Sequence, residues 1–345
     1  MCLSLSLMIN LNRNENRYGP APKCYEILKE VDPELFISYS TYFTDEITPI
    51  LSAKFNFPQE QIMLEYGGEN ILRLIFDNVV GLHDKVLISD YAWNFYVEQI
   101  KRRGGKKEIF KMIKHNLRYE YDMRDLIEKY KLVNPILVIL TSPNNPTGNS
   151  INFLDLEKFM DITTKKTVVV LDEAYFDFQN NYDQKKLNQL ILTYPNLLVL
   201  RSFSKLYALA GLRIGYALCG KEALKRLNYQ KMYLGYNRLS EKIVLAALHS
   251  DLYYINVKNK LLEDRKKISE EINKIPGWRA YESEANFILV EFPVKIKEKL
   301  KLALSEKKIA VKFHEDKKLH NMLRVTIGVK EENRLFLEAI QKLSK

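Results

Sequence analysis

Residues 201–213 read RSFSKLYALAGLR and follow the apolar run 197–201, so two serines, a lysine and an arginine lie just beyond it. Two other segments repeat this arrangement: SPNNPTG, 142–148, after the run 136–140, and LDEAY, 171–175, at the end of the run 168–171. Such short runs are typical of buried parallel strands. Ligands of helix-covered sheets bind at the carboxyl ends of strands, so we predict that an Asn, an Asp, a Tyr, a Lys and an Arg converge there.

The rest of the chain alternates strand-like and helix-like segments. Further apolar runs cover 85–89 and 213–218, and amphipathic stretches cover 93–103 and 153–163. This alternation is typical of βαβ units and a parallel sheet. After about residue 237 come a long helical stretch, two strand-like runs and a terminal helix, at 239–274, 286–292, 323–327 and from Glu331.

The sequence therefore predicts an α/β protein in three parts. Residues 1–30 are polar and turn-rich and form an N-terminal arm across the domain boundary. Residues 31–240 form a large domain with a mostly parallel, helix-covered sheet. Residues 241–345 form a smaller α+β domain.

Composition narrows the class of protein. The chain has 345 residues, 46% hydrophobic and 28% charged, which indicates a folded protein of about two domains rather than a disordered or fibrous one. Its net charge of +10 raises the question whether it binds nucleic acid or an anionic small molecule. The basic clusters 101–107 and 307–318 are short and lie in helix-like or turn-like segments, so we expect solvated faces and no nucleic-acid partner.

The cysteines and the N-terminus bear on location. Cys2, Cys24 and Cys219 are scattered and odd in number, which favours a reducing compartment over a disulfide framework. No apolar run approaches the roughly 20 residues of a membrane span, and MCLSLSLM lacks the basic flank of an export signal. We expect a cytoplasmic protein with no membrane partner.

Two motifs suggest chemistry that the sequence does not support. GYALCGK, 215–221, matches the first part of a P-loop, but Glu222 follows where a Ser or Thr would hold magnesium. His314 and His320 are six residues apart, which is not the spacing of a helical zinc site. We therefore expect no metal.

The three strand-end segments together resemble the aspartate aminotransferase superfamily, the fold type I enzymes that use pyridoxal 5′-phosphate (PLP). Three more segments resemble the histidinol-phosphate aminotransferase family: LNRNENRYGPAP (11–22), SEANFIL (283–289) and LRVTIG (323–328). All six occur in the family's order, and the resemblance runs from about residue 10 to the end. It implies a PLP-dependent transferase fold of type I and a homodimer.

The resemblance implies three catalytic residues and assigns them to the cofactor ring. Lys205 would hold PLP as a Schiff base and later move a proton. Asp172 would pair with the protonated pyridine nitrogen. Tyr175 and Asn145 would donate hydrogen bonds to the phenolic oxygen of the ring. Each residue also has an ordinary alternative when it is taken alone. Lys205 could be a surface lysine, Asp172 could cap a helix or lie at the surface, and Tyr175 and Asn145 could occupy turn or core positions.

The resemblance also implies a phosphate site and a stacking residue. Ser202, Ser204 and Arg213 would bind the cofactor phosphate with backbone amides at a helix N-terminus, namely those of Gly68 and Glu69. Relatives commonly have Gly, a small residue and then Asp or Asn at this turn, whereas this chain has YGGEN. Trp93 matches the family's ring-stacking aromatic, usually a tyrosine, with a core position as its alternative.

Substrate and subunit contacts follow from the same resemblance. Tyr18, Lys312 and Arg324 match positions that grip the anionic end of the substrate. Lys312 stands where relatives that bind histidinol phosphate commonly have arginine, which leaves the substrate's identity open. Tyr39 matches a tyrosine that reaches the cofactor phosphate of the neighbouring subunit, with Tyr42 as a nearby competitor.

Three functional hypotheses remain open. The first is an aminotransferase that uses glutamate and a small phosphorylated substrate, with histidinol phosphate and 2-oxoglutarate as the leading pair; other phosphorylated ketones or aromatic amino acids remain as substrates. The alternative is a decarboxylase of an O-phospho amino acid such as phosphothreonine or phosphoserine. A third is a regulatory or nucleic-acid-binding protein on an inactive fold, which the intact cofactor residues disfavour.

Overall fold

The computed structural model describes residues 8–40 and 45–344, so Cys2 and Tyr42 lie outside the described residues. The strands are β1 (Ile9–Asn10), β2 (Ile62–Glu65), β3 (Lys85–Ser89), β4 (Lys106–Phe110), β5 (Met112–Lys114), β6 (Tyr119–Tyr121), β7 (Leu137–Thr141), β8 (Val168–Asp172), β9 (Leu197–Ser202), β10 (Gly215–Cys219), β11 (Arg279–Ala280), β12 (Phe287–Glu291), β13 (Ile309–Ala310), β14 (Lys312–Phe313) and β15 (Met322–Thr326). The helices are α1 (Pro22–Lys29), α2 (Glu34–Ile37), α3 (Ile47–Phe55), α4 (Gly67–Val79), α5 (Asn94–Arg102), α6 (Met123–Val133), α7 (Phe153–Ile162), α8 (Gln184–Thr193), α9 (Lys221–Arg226), α10 (Arg238–Leu248), α11 (Asp251–Asn273), α12 (Lys297–Glu306) and α13 (Lys330–Gln341).

A seven-stranded sheet in the order β2-β10-β9-β8-β7-β3-β4 forms the centre of the molecule. The five strands from β9 to β4 are parallel, which confirms the α/β class and the mostly parallel sheet. The expectation that 213–218 is also a parallel strand is wrong, because β10 runs antiparallel to both β9 and β2. The connection 203–214 contains a single short 3-10 turn, and a parallel return needs a longer crossover, usually a helix.

Both faces of this sheet are buried. Leu87 of β3 packs in one apolar core, while its neighbours Val86 and Ile88 pack in the other. Successive side chains of a strand point to opposite faces, so each strand serves two cores. This explains why the strands read as continuous apolar runs.

The edge strands depart from the sequence prediction. The basic cluster 101–107 was expected to be helix-like or turn-like, yet Lys106 and Lys107 open the edge strand β4. Lysine at a sheet edge discourages pairing with other chains, so a basic run is compatible with a strand there. Strand β2 was not predicted from the sequence at all.

The C-terminal part contains a four-stranded antiparallel sheet, β11-β12-β15-β14. The long helical stretch 239–274 is two helices, α10 and α11, which separate at His249 and Ser250. Asp251 is the first residue of α11, and an acidic first turn favours a new helix start, while the Ser250 hydroxyl donates back to the Ala246 carbonyl of α10 at 2.8 Å.

The N-terminal segment lies along the C-terminal sheet. Strand β1 pairs in parallel with β13, and the Leu11 carbonyl accepts a hydrogen bond from the Thr326 amide at 2.8 Å. Asn14 then reaches the turn that follows β8 of the large sheet, where its Nδ2 donates to Tyr175 Oη at 2.9 Å. This segment therefore contacts both sheets. No helix among the described residues is long and apolar enough to cross a membrane.

Candidate active site

A cavity of about 550 Å3 lies at the carboxyl ends of β7, β8 and β9. The register places Thr141 beside Asp172 and Asp172 beside Leu200, so these strand ends meet at one edge. The cavity is also bordered by the start of α4, the N-terminal segment and the C-terminal sheet. Twelve predicted residues line it: Gly68, Glu69, Trp93, Asn145, Asp172, Tyr175, Ser202, Ser204, Lys205, Arg213, Lys312 and Arg324.

Asp172 ends β8 and is only 4% exposed. Its Oδ1 accepts a hydrogen bond from the Ala174 amide at 3.1 Å, and its Oδ2 accepts one from Tyr96 Oη at 2.5 Å. Burial raises the pKa of Asp172 above its ordinary value, while the Tyr96 and Ala174 hydrogen bonds and the charge of Lys205 oppose the rise. Both hydrogen bonds come from neutral donors, so no cationic side chain is hydrogen-bonded to this carboxyl group among the described residues.

Lys205 lies beside the N-terminal segment and Tyr175. Its Nζ donates to the Arg13 carbonyl at 3.3 Å and is 5.3 Å from the centre of the Tyr175 ring. The Tyr175 hydroxyl in turn accepts a hydrogen bond from Asn14. A lysine with one weak backbone contact can exchange that contact for a ligand without leaving a buried charge unpaired.

The predicted phosphate residues surround the start of α4. The Ser204 amide donates to Ser202 Oγ at 3.0 Å, and Arg213 Nη1 donates to the Ala210 carbonyl at 3.2 Å. A Cβ on Gly67 would come within 2.9 Å of Arg213 Nη2, which shows how closely the guanidinium approaches the first turn of the helix. First-turn amides have no partner within a helix, and together with the guanidinium they favour an anion.

Gly215 lets α4 approach the sheet. A Cβ at this position would lie 2.5 Å from the Gly68 amide nitrogen, which is closer than real atoms come. A glycine opposite Ser202 in the register is therefore required to bring the helix start against the strand ends.

Trp93 stands at the N-cap of α5 and is 40% exposed. Its ring stacks on Phe95 at 4.8 Å and meets Tyr96 edge to face at 5.7 Å. Phe95 and Tyr96 thus pack against the indole ring, while part of the ring lines the cavity. This arrangement suits a residue that stacks on a ligand ring.

Arg324 and Lys312 form a basic cluster on the opposite wall. The register pairs them on β15 and β14, so both side chains leave the same face of the sheet. Arg324 is 8% exposed, and its Nη1 and Nη2 donate to Asn145 Oδ1 at 2.5 Å and to the Asn12 carbonyl at 2.6 Å. Nearby His314 has its pKa lowered to about 4, first by burial and then by these two cations, so it is neutral at pH 7.

Two predicted residues do not line the cavity. Tyr18 lies under Lys260 Nζ, 5.8 Å from the ring centre, and burial, followed by the charge of Asp264, raises its pKa. Tyr39 is 77% exposed. The predicted contacts of Tyr18 with the substrate and of Tyr39 with the neighbouring subunit's cofactor are therefore not explained by this cavity alone.

Ten lining residues were not predicted, of which four are apolar, Leu72, Ala174, Leu200 and Ala210, and six are polar: Asn12, Arg13, Asn14, Glu15, Tyr96 and Thr141. Among the polar ones, Asn12 to Glu15 come first in the chain. The first four lie in the segment 11–22 that carried the family resemblance, but their placement depends on pairing with the distant C-terminal sheet. Tyr96 follows Trp93 by three residues, a spacing that places both on one side of a helix start and would have pointed to it.

The donor set fits PLP. The cavity is lined by the buried carboxyl group of Asp172, by Lys205, and by the amide of Asn145 and the phenol of Tyr175. Two hydroxyls, a guanidinium and the start of α4 also line it, from Ser202, Ser204, Arg213, Gly68 and Glu69. Among the described residues, no group of three His, Cys, Asp or Glu side chains could hold a metal ion. The cavity therefore offers an anion cradle, an ammonium and a carboxylate in the arrangement that an anionic pyridine cofactor needs.

Comparison with known proteins agrees with this chemistry. Residues 6–340 match the family model for aminotransferase class I and II. Histidinol-phosphate aminotransferase of Clostridium botulinum (strain Okra / Type B1) is 30% identical over 97% of this chain and 92% of its own length. The enzyme of that name from Thermoanaerobacter sp. (strain X514) is 35% identical over 82% of this chain and 77% of its own.

Solved structures share the fold. Histidinol-phosphate aminotransferase from Sinorhizobium meliloti, in complex with pyridoxal-5′-phosphate, superposes with a TM-score of 0.87 at 22% identity, covering 98% of this chain and 92% of that one. L-threonine-O-3-phosphate decarboxylase from Porphyromonas gingivalis gives 0.80 at 18% identity, over 97% and 99%. The sequence and cavity predictions of a fold type I enzyme and its cofactor are confirmed: the chain belongs to the class I and II aminotransferase family and is a PLP-dependent aminotransferase.

Proposed function

We propose that this enzyme moves an amino group between glutamate or 2-oxoglutarate and a small phosphorylated compound, with histidinol phosphate as the leading substrate. The observation that carries the proposal is the presence of two separate cationic walls in one cavity. Arg213 and the start of α4 form one, and Arg324 with Lys312 forms the other. If the cofactor phosphate occupies the first wall, the second remains for the anionic end of the substrate.

We assign the residues as follows. Ser202, Ser204, Arg213 and the amides of Gly68 and Glu69 hold the cofactor phosphate, and Trp93 packs on its ring. Asp172 holds the ring nitrogen protonated, and Asn145 and Tyr175 donate to the phenolic oxygen. When bound, the cofactor supplies an electron sink for the charge left at the substrate α carbon.

Lys205 is the proposed general acid and base. A free amine at Nζ would accept a proton from the substrate α carbon, and the ammonium so formed would donate that proton to the C4′ carbon of the bound cofactor. Its contact with the Arg13 carbonyl at 3.3 Å holds the side chain at the cavity wall. The Tyr175 ring lies beside its Nζ, and Asn14 holds that ring through a hydrogen bond to the Tyr175 hydroxyl.

Arg324 is the proposed anchor for anionic substrates. Its two terminal nitrogens now donate to Asn145 and to the Asn12 carbonyl, while its buried Nε has no partner among the described residues. A planar guanidinium in this position can exchange these neutral acceptors for a carboxylate or phosphate. Lys312 adds a point charge, which contributes most to the more highly charged group.

The test is a paired assay on one preparation. Glutamate formation from histidinol phosphate and 2-oxoglutarate is measured beside carbon dioxide release from phosphothreonine and phosphoserine. We expect amino transfer and no carbon dioxide. Because the decarboxylase from Porphyromonas gingivalis shares the fold, carbon dioxide release without transfer would replace the proposal by the decarboxylase function.

We also propose a homodimer in which Tyr39 serves the partner's site. The chain exposes Phe36, Ile37 and Tyr39 by 71%, 76% and 77%, and such an exposed apolar group is typical of an interface. Tyr39→Ala and Lys205→Ala dimers should each be inactive, and mixed dimers should regain one intact site. A fully active monomer in sedimentation at assay concentration would contradict this arrangement.

A cytoplasmic location completes the proposal. Cys24 and Cys219 are both buried free thiols, which suits a reducing compartment. Cell fractionation with an epitope-tagged chain tests the location, and recovery outside the cytosol would contradict it.

A further inference from the structure

Glu69 is an unusual neighbour for a phosphate site. It is the third residue of α4, follows Gly68 directly and lines the cavity. Its Oε1 accepts hydrogen bonds from Arg73 Nη2 at 2.8 Å and from Arg73 Nε at 3.2 Å. Its Oε2 is 3.9 Å from Arg213 Nη2. The carboxylate thus stands between two guanidinium groups of different elements.

An unpaired Glu69 would compete with the cofactor phosphate. A carboxylate in the first turn of a helix is attracted to the same amides and positive helix end that favour a bound anion. It would also attract the Arg213 guanidinium and repel a phosphate beside it. The structure shows how this competition is limited, because Arg73 Nε and Nη2 both bind Oε1 of the carboxylate. The other oxygen, Oε2, keeps only a long ion-pair contact with Arg213 at 3.9 Å, beyond hydrogen-bond distance.

We propose that Arg73 is a positioning residue for the cofactor phosphate: it holds and neutralises Glu69, so that Arg213 and the first-turn amides of α4 remain free for the phosphate. This role rests on the proposed phosphate site. Arg73 acts through Glu69 and need not touch the cofactor.

The place of Arg73 is itself fixed by an aromatic contact. Its Cζ lies 5.4 Å from the centre of the Phe95 ring, and Phe95 stacks on Trp93 at 4.8 Å. A guanidinium over an aromatic face is held by a cation–π contact. Arg73 therefore contacts both Phe95, which packs against Trp93 of the proposed ring site, and Glu69, which lies beside the proposed phosphate site.

The experiment compares two ligands that differ only in the phosphate. Dissociation constants for PLP and for pyridoxal are measured by equilibrium dialysis in the wild type and in the Arg73→Met, Glu69→Gln and doubly substituted proteins. Methionine keeps a long apolar side chain against Phe95 and removes the charge. Arg124→Met is the control, because Arg124 forms an ion pair of the same spacing and opposite order with Glu128 on an exposed helix face, and neither residue lines the cavity.

Arg73→Met should weaken PLP binding roughly fivefold, the effect of about one exposed ion pair, and change pyridoxal binding less than twofold. Glu69→Gln in the Arg73→Met background should restore PLP binding to about the wild-type value, because no acid is left to neutralise. Arg124→Met should bind both ligands as the wild type does.

Three results would overturn this role while the wild type still prefers PLP to pyridoxal. These are unchanged PLP binding in Arg73→Met, equal weakening of both ligands, and a double variant as weak as Arg73→Met. A wild type that binds pyridoxal as tightly as PLP would instead overturn the phosphate site itself, and the role of Arg73 with it.

Discussion

Asp172 and Glu173 are consecutive acids that are both almost completely buried, yet they face opposite sides of the central sheet. Asp172 faces the cavity and receives two hydrogen bonds from neutral groups. Glu173 faces the core, where its Oε2 accepts from Arg201 Nε at 3.0 Å and its carboxylate accepts from Tyr182 Oη. Asp172 therefore has no cationic side chain hydrogen-bonded to it among the described residues, whereas Glu173 forms an ion pair with Arg201 within the protein.

The neighbouring strand shows the same division. Arg201 is completely buried, its guanidinium packs 3.7 Å from the centre of the Phe176 ring, and its Nη1 donates to Gln184. The next residue, Ser202, lines the cavity. Because side chains alternate along a strand, one pair of strand ends supplies both the core ion pair and the residues of the site. The comparison teaches that burial of a charge does not reveal its role, whereas its partner does.

Asp172→Asn should break the cavity side of this comparison and give the largest effect. The amide keeps the shape and loses the charge that holds a protonated ring nitrogen. We expect kcat to fall about several hundredfold, or roughly 3 to 4 kcal/mol, with little change in melting temperature. Steady-state kinetics and thermal unfolding check both parts, and a near-normal kcat would show that Asp172 does not contact the ring nitrogen.

Glu173→Ala should break the core side. It leaves the Arg201 charge buried without its acid, so the free energy of unfolding should fall by about 3 to 5 kcal/mol. Urea denaturation measures this loss, and kcat of the folded enzyme at low temperature should stay within a fewfold range. Lost activity at unchanged stability would reverse the roles assigned to the two acids.

A third acid, Asp177, extends the comparison of Asp172 and Glu173, because its titration should make the free energy of unfolding depend on pH. The residue is partly exposed, but its Oδ2 is buried and has no hydrogen-bond partner among the described residues. Burial raises its pKa to about 6, while the charges of Arg201, Lys258 and Lys54 oppose the rise. This folded-state pKa exceeds the ordinary value of 3.8, so its contribution to stability is greatest below pH 4 and is lost as pH rises through 6.

Asp177→Asn should therefore be more stable than the wild type at pH 8, by up to roughly 3 kcal/mol, and should lose this advantage near pH 4. Urea denaturation of both proteins across this range measures the difference. An advantage independent of pH would show that the carboxyl does not titrate in this window.

Substitutions of Arg324 and Lys312 should affect the phosphorylated and non-phosphorylated substrates differently, and these changes in kcat/KM are the smallest effects that we predict. Arg324→Ala should impair both half-reactions, whereas Lys312→Ala should lower kcat/KM mainly for the phosphorylated partner, by about tenfold. Lys312→Arg should improve use of histidinol phosphate, and Lys317→Ala, at an exposed position of the following turn, is the control. Equal losses for both substrates in Lys312→Ala would contradict the division.

The cavity residues at the strand ends could be predicted from sequence because each follows its own apolar run. SPNNPTG, LDEAY and RSFSKLYALAGLR are local signals, and the parallel register brings them together without further information. Lys205, Asp172 and Asn145 accordingly line one cavity.

The remaining features depend on contacts between distant parts of the chain. The direction of β10, the strand β2 and the position of Asn14 between two sheets follow from long-range pairing that no local pattern contains. Glu173 could not be separated from Asp172 by residue type, because its role depends on Arg201, 28 residues away. Tyr18 matches a family motif, but its ring packs under Lys260 rather than in the cavity.

Mapping the covalent attachment of PLP tests the central claim most directly. The purified enzyme is incubated with PLP, reduced with borohydride and digested, and the modified lysine is located by mass spectrometry. We predict a single stoichiometric adduct on Lys205, and its loss in Lys205→Ala together with activity. An adduct on another lysine, or full turnover in Lys205→Ala, would contradict the assignment of this cavity as the active site.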